Sequence, residues 1–513
     1  MDTVIVKKNR YVDSVSLMSV GDRIKQLGGI QAAEVQMATP ANCELLETLG
    51  FVLTDSVTAN DLVIAVRADA EEKCREAVQL AQDILDHKSG ADTGNIYHNL
   101  REIDLEEDPY DLVQISLPGE YAAAEAKEAL EKGLDVFIFS DNVSLEDELE
   151  LKRLGMEKGR LVMGPDCGVG LIGGVALAAG SIIAPGPIGI VGASGSGAQE
   201  VACIIEKCGW GVSTLIGTGG RDLYPQIGGI SMLQGMKRLE SDPETKVIVL
   251  VSKLADLAVM EKILTAADSL TKPVTAVFLG GGEELFSGHR TKGSYSLEEA
   301  ALNAIRLLGG EPPEIGFTDE EINRLAEKEL SLLGPEQKYF RGLYCGGTFT
   351  EEGLIYFSRH NPGAELYTNL ENQYARKLPD HRKSRENTIL DLGAEDFTAD
   401  APHPVFEPAL RLNRFYQELE DPETAVVLLD FITGPGVHPD PITPFVRAYE
   451  DSVLARGKKL VVISSICGSR EDPQNIAEKT ELLRKAGVLV MPSNYQSSRL
   501  ASAMMAKLAE RGK

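Results

Sequence analysis

The chain has 513 residues, 25% of them charged and 43% hydrophobic, with 50 glycines spread along its length; this excludes disordered and fibrous classes and leaves room for about three globular domains. A net charge of −27 excludes a broad surface for nucleic acid or an anionic membrane, because phosphate backbones are bound through an excess of lysine and arginine. Any anion site is therefore local.

The opening MDTVIVKKNRYVDSV lacks the apolar core and cleavage site of a signal peptide, and no apolar run nears the ~20 residues that span a bilayer, so a cytoplasmic protein is expected. Seven cysteines form no CxxC pair, which suits reduced thiols and assigns no metal centre.

In chain order, the first third alternates apolar runs with charged helical stretches: VIV, DSVSLMSVGDRIKQLGG, DLVIAVRA, DAEEKCREAVQLAQDIL, DLVQISL, GEYAAAEAKEALEKG, DVFIFSD, SLEDELELKRLGMEKG and LVMGPDC. Such alternation predicts one doubly wound parallel-sheet domain over residues 1–183. The Pro/Gly break APGPIGIVG opens a second α/β unit over 184–310, with strands IGIV, VSTLIGT, KVIVLVSK and PVTAVFLGGG between helices. A linker helix, TDEEINRLAEKELSLLG, occupies 311–338 and leads to a third unit over 339–513 that begins YFRGLYCGGTFTEEGLI. The third unit echoes the second. SDPETKVIVLVSK from Ser241 is matched by EDPETAVVLLDFI from Glu420, and KPVTAVFLGGG by KKLVVISSICGS, which points to an internal duplication.

GIVGASGSGAQEV runs from strand through glycine turn to helix, the pattern that offers unpaired N–H groups and a positive dipole end to an anion. Gly192, Ser194, Gly195, Ser196 and Gly197 are the first half of a phosphate site and Gly346, Gly347 and Thr348 of CGGT the second. No GxxxxGK[ST] is present. GTGGRD, TGPGVHPDP and CGSRED also follow strands, at the ends that line the crevice of a parallel sheet. They contribute Gly219, Gly220, Arg221, His438, Asp440 and Arg470. The arginines suit a bidentate grip on carboxylate or phosphate, against the alternative of ion pairs with Asp222 and Glu471. Cys167 and Cys345 have the alternatives of nucleophile and small buried side chain. His403 in APHPVFEP and His438 are candidate acid–base groups, His438 with Asp440 having the donor types of a metal ligand; structural hydrogen bonding is the alternative.

On SLPGEYAAAEAKEAL, MGPDCG, GIVGASGSGAQEV, STLIGTGGRD, SDPETKVIVLV and KPVTAVFLGGG the chain resembles the succinyl-CoA synthetase α-subunit and ADP-forming acyl-CoA synthetase superfamily. DSVSLM, TPAN, RGLYCGGT, EDFTADAPHP and GVHPDP carry a closer resemblance to FdrA proteins, over nearly the whole chain. The resemblance implies a Rossmann-like CoA-binding-type domain followed by two flavodoxin-like ligase-type domains. It admits CoA and a nucleotide as ligands, with neither assigned. It implies a subunit of oxamate carbamoyltransferase, interconverting oxalurate plus phosphate with oxamate plus carbamoyl phosphate in allantoin and purine breakdown. Its partners would be phosphate or an acyl or carbamoyl phosphate, a small carboxylate, companion subunits and further copies of itself. Two other readings stay open: an acyl-CoA synthetase working through a phosphohistidine, and a non-catalytic nucleotide- or CoA-binding regulator. For the synthetase, FSGHRTKG places His289 as a partial match to the family's GHAGA histidine, while Lys253 stands near the place of its supporting glutamate. VIVKKNRYVDSV lacks the glycine loop of the synthetase CoA domain.

Overall fold

The computed structural model describes residues 1–10, 12, 14–25, 27–39, 42–43, 45–46, 49–53, 57–86, 99–107, 109–399, 401–456 and 459–511. Asp13 of DSVSLM, Pro40 and Ala41 of TPAN and Asp400 of EDFTADAPHP lie outside them. The chain divides into two compact units, residues 1–98 with 395–406, and residues 99–394 with 407–513.

In the first unit β1 (Asp2–Lys7), α1 (Ser14–Lys25), β2 (Ile30–Met37), β3 (Leu62–Ala68) and α2 (Glu71–Asp86) build a three-stranded sheet in the order β1-β3-β2. LVIAVRA is apolar enough to occupy the centre, and both neighbours pair with it antiparallel. One sheet face packs with Leu17, Val20, Ile24 and Val78, the other with Leu46 and Phe51. The doubly wound parallel sheet expected from residue 1 is therefore corrected here. Alternating apolar runs specify strands and helices but not strand direction, and β2, IQAAEVQM, is interrupted by Gln31, Glu34 and Gln36 and so lacks the continuous apolar run that marks a strand.

The second unit begins with β4 (Leu112–Ile115), α3 (Gly119–Glu131), β5 (Asp135–Ile138), α4 (Leu145–Lys158) and β6 (Val162–Met163), a small parallel sheet in the order β4-β5-β6. The hairpin of β7 (Val169–Ile172) and β8 (Val175–Ala178) turns through Gly173 and Gly174, both at positive φ, as a two-residue hairpin turn requires.

A first lobe follows: β9 (Pro185–Gly192), α5 (Gly195–Lys207), β10 (Val212–Gly217), α6 (Ile230–Ser241), β11 (Val247–Lys253), α7 (Leu257–Asp268), β12 (Val274–Leu279), β13 (Lys292–Ser294) and α8 (Leu297–Leu307). After α9 (Asp319–Leu330) comes a second: β14 (Tyr339–Tyr344), α10 (Gly347–His360), β15 (Leu366–Thr368), β16 (Arg376–Lys377), β17 (Asn387–Asp391), the short α11 (Glu395–Thr398) that belongs to the first unit, α12 (Ala409–Glu420), β18 (Thr424–Ile432), α13 (Thr443–Arg456), β19 (Val461–Cys467), α14 (Ile476–Lys485), β20 (Leu489–Met491) and α15 (Asn494–Arg511).

The two large sheets run β13-β12-β11-β9-β10-β7-β8 and β16-β15-β17-β14-β18-β19-β20. Within them β10-β9-β11-β12-β13 and β17-β14-β18-β19-β20 share one parallel order, that of flavodoxin-like sheets. The chain is thus α/β with several parallel sheets. The DPET echo falls before β11 and β18, which fill the same slot. Each copy builds the same turn, with Asp242 accepting from the Glu244 N–H at 3.0 Å and Asp421 from the Glu423 N–H at 2.9 Å.

Candidate functional site

The first helices of the two lobes, α5 and α10, start at the carboxyl ends of equivalent strands. Gly192 lets β9 turn tightly into α5, since a Cβ there would come within 2.8 Å of the Ala198 methyl. Ser194 caps α5, its hydroxyl accepting the Gly197 N–H at 3.3 Å. The same hydroxyl lies 2.5 Å from the Thr348 hydroxyl on the first turn of α10, across 154 residues of sequence. At Gly197 a Cβ would stand 3.0 Å from the Thr348 methyl, so glycine there permits the approach. The two predicted halves of the phosphate site are brought together.

Not all the predicted donors are free. Asp430, buried in β18, accepts the N–H groups of Cys345 and Gly346 at 2.9 Å each and the Arg411 guanidinium at 2.8 Å. Gly346 is thereby removed as a phosphate donor, as Gly197 is by Ser194. The N–H groups of Gly195, Ser196, Gly347 and Thr348, at the start of their helices, have no intrahelical acceptor. Lys253 ends β11 with 42% of its side chain exposed and only a loose pair to Glu351, 3.7 Å away. Its Nζ would lie 3.7 Å from a Cβ on Gly347. Two helix N-termini and one ammonium thus meet at this junction. Asp391, at the end of β17, is the remaining ionisable group there. Burial pushes its carboxyl up to about 6, with Lys253 drawing it back down.

The other predicted residues are held elsewhere. Gly219, at positive φ, lets the loop after β10 pass against Pro165, while Gly220 is open to solvent. Arg221 is tied to Glu148 at 2.9 Å and to the Val143 carbonyl at 2.8 Å. Beside it, fully buried Lys152 bridges Glu148 and Asp222, each at 2.8 Å, so this loop joins α4 to the first lobe. Arg221 is an ion-pair residue, though its partner is Glu148 and not the neighbouring Asp222.

Two further strand-end loops join the lobes. Asp472 accepts from Ile182, Thr433 and Ser469, and Gln474 clasps Gly434 and the His438 carbonyl. Arg470 projects from this join, exposed, beside Glu206. His438 Nδ1 accepts the Asp440 N–H at 3.1 Å, and Asp440 pairs with Lys479 at 2.8 Å, so the structure gives them turn-building partners. His403 makes the same local turn, accepting the Val405 N–H at 3.2 Å within the first unit.

Burial pushes the Cys167 thiol up to about 12 and Cys345 well above its ordinary value, Asp430 reinforcing the latter. Neither is poised as a thiolate, which favours the small buried side chain of the two alternatives. His289 is also held away from the junction. Its ring nitrogens face Asp268 at 2.7 Å and Glu261 at 3.3 Å. Asp268 ends α7, which runs back against the strands, so this histidine lies at the sheet edge opposite the α5 and α10 N-termini.

Residues 1–99 match the family model described as "AllF, heavy metal-associated domain", residues 184–280 the "CoA binding domain" and residues 343–504 the "CoA-ligase". Over 517 aligned residues the chain is 38% identical to the uncharacterized protein YahF of Escherichia coli K12, covering 98% of each. The chain belongs to the FdrA family. This FdrA-family chain is 28% identical to the ADP-forming sulfoacetate-CoA ligase subunit SauD of Bilophila wadsworthia, over 45% of this chain and 83% of that one. It is also 28% identical to succinate–CoA ligase subunit alpha 2 of Archaeoglobus fulgidus, over 46% and 82%. The CoA-binding match falls on the segment read above as the first ligase-type domain, and the first 99 residues match a different model.

The described residues of the first unit of this FdrA-family chain present no donor set that fits a metal. Its cysteines form no CxxC, and the buried Cys74 thiol donates to the carbonyls of Met1 and Val66. Among the described residues no group of three or more His, Cys, Asp or Glu is placed to hold an ion, and no helix is long and apolar enough to cross a membrane.

Proposed function

We propose that this chain is a subunit of a carbamoyltransferase of the oxamate type, working in the cytoplasm with companion subunits. It would exchange a carbamoyl group between oxalurate and phosphate in allantoin breakdown. The observation that carries the reading is the meeting of the α5 and α10 N-termini through Ser194 and Thr348, with Lys253 beside Gly347. Free helix N–H groups and one ammonium suit a dianionic phosphate in a chain whose net charge is −27. The match of residues 1–99 to a model named for AllF supports a place in allantoin breakdown.

For the reaction, the N–H groups of Gly195, Ser196, Gly347 and Thr348 would hold phosphate while one of its oxygens attacks the carbamoyl carbon. Lys253 would offset charge as the C–N bond to oxamate breaks. No residue of this chain need be phosphorylated. The purified chain with the products of its neighbouring genes should release phosphate from carbamoyl phosphate only when oxamate is present. Release independent of oxamate, or none, would overturn the reading.

A second reading, an ADP-forming acyl-CoA ligase, is favoured by the CoA-binding and CoA-ligase matches. It requires a phosphate carrier, and His289 sits between Asp268 and Glu261 at the other sheet edge. Label from ATP on His289 would favour it.

A further inference from the structure

Two aspartates stand at the carboxyl edge of the second sheet, and they are used differently. Asp430 has both oxygens committed, to Cys345 and Gly346 N–H and to Arg411. Asp391 has one: Oδ1 accepts the Gly393 N–H at 3.0 Å, and Oδ2 has no donor among the described residues. The residue is only 7% exposed. Its backbone is fixed on both sides by Asn369, which accepts the Asp391 N–H at 2.9 Å and donates to its carbonyl at 3.1 Å. A Cβ on Gly347 would lie 2.8 Å from Oδ2, so this unpartnered oxygen is aimed at the first turn of α10.

In a residue this little exposed, Oδ2 is the oxygen that stays accessible, an acceptor left open beside the start of α10. The groups around it are Lys253 from β11, Asp430 from β18 and Glu351 from α10. Lys253 is an ammonium, Asp430 is locked by three donors, Glu351 faces Lys253, and the Cys345 thiol is held far above neutrality. Burial leaves Asp391 titrating at about 6, where a proton is both taken and given readily.

We propose that Asp391 Oδ2 is the proton relay for group transfer between the α5 and α10 N-termini. This rests on the carbamoyl-transfer reading. As an oxygen of hydrogen phosphate forms its bond to the carbamoyl carbon of oxalurate, its proton passes to Oδ2. As the C–N bond breaks, its electron pair goes to the oxamate nitrogen, and that nitrogen takes the proton back from Oδ2. Carbamoyl phosphate and oxamate leave, charge is conserved, and Asp391 ends as it began.

The test compares Asp391→Asn with wild type in the complete complex, measuring carbamoyl transfer from pH 5 to 9 and thermal stabilisation by inorganic phosphate. The relay predicts that D391N folds and keeps the phosphate-induced shift, loses about 100-fold or more in kcat, and loses the acid limb near Asp391's titration. Asp391→Glu should restore part of kcat with a displaced acid limb. An active D391N with the wild-type pH profile overturns the relay and leaves carbamoyl transfer standing. A wild-type complex with no carbamoyl transfer overturns both.

Discussion

Glu200 and Glu352 are reciprocal caps. Each lies six residues beyond the N-cap of its lobe's first helix, Ser194 and Gly346, and each accepts the first backbone N–H of the other lobe's last helix. Glu200 takes the Asn494 N–H of α15 at 3.0 Å, and Glu352 takes the Leu297 N–H of α8 at 2.9 Å. Asn494 also donates its amide to Glu352 at 2.8 Å. Helix N-termini are satisfied between lobes here, so the clamp holds the Ser194–Thr348 junction in register.

Removing one cap should therefore unsettle both lobes. Glu352→Ala leaves the Leu297 N–H buried without an acceptor and takes one of two acceptors from the Asn494 amide, the Phe349 carbonyl remaining, at a cost of roughly 1–3 kcal/mol. Chemical denaturation should show that loss, while Glu351→Ala next to it changes stability by no more than about 0.5 kcal/mol.

The same glutamate makes stability depend on pH. Burial raises the Glu352 carboxyl from its ordinary 4.5 to about 7 in the folded protein. The folded state then binds more protons than the unfolded one between those values, so this group's contribution falls as pH rises through the window, by roughly 3 kcal/mol in all. Glu352→Gln keeps an acceptor for Leu297 and cannot titrate. The stability difference between wild type and E352Q, followed from pH 4.5 to 7.5, should drift against wild type. A constant difference would show that Glu352 does not titrate there.

The Ser194–Thr348 bond is expected to be a direct coupling between the lobes. In a double-mutant cycle of Ser194→Ala and Thr348→Val, unfolding free energies should reveal about 1 kcal/mol of interaction. Additivity would mean that the hydroxyls meet without consequence.

Much of this could be read before any coordinates. Apolar runs fixed most strands of residues 99–513, and the paired DPET turns announced two equivalent lobes, because buried parallel strands and Asx turns are written locally. GASGSG and CGGT pointed to facing helix termini for the same reason. Partners across the chain were not readable. Whether Arg221 meets Asp222 or Glu148, or His289 meets a phosphate or Asp268, depends on chain crossings that no local pattern encodes. The antiparallel order around β3 is of this kind. Asp391 and Asp430 did leave a signal, a lone carboxylate at or near the end of an apolar strand in TILDLG and VVLLDFITG.

His289 should prove structural. Asp268 and then Glu261 hold its imidazolium, raising the ring above its ordinary range. A raised histidine stabilises fully below its unfolded value and loses that contribution as pH climbs through the folded one. His289→Ala should lower the melting temperature more at pH 5.5 than at pH 8.5, with carbamoyl transfer intact.

The central claim is that the α5 and α10 N-termini form one anion site, and calorimetric titration of inorganic phosphate tests it most directly. Wild type should bind phosphate saturably at a single site, with at least tenfold weaker binding in Ser196→Asp, whose carboxylate would crowd the free N–H groups, and in Lys253→Ala. Equal binding by all three proteins, or none by wild type, would contradict it.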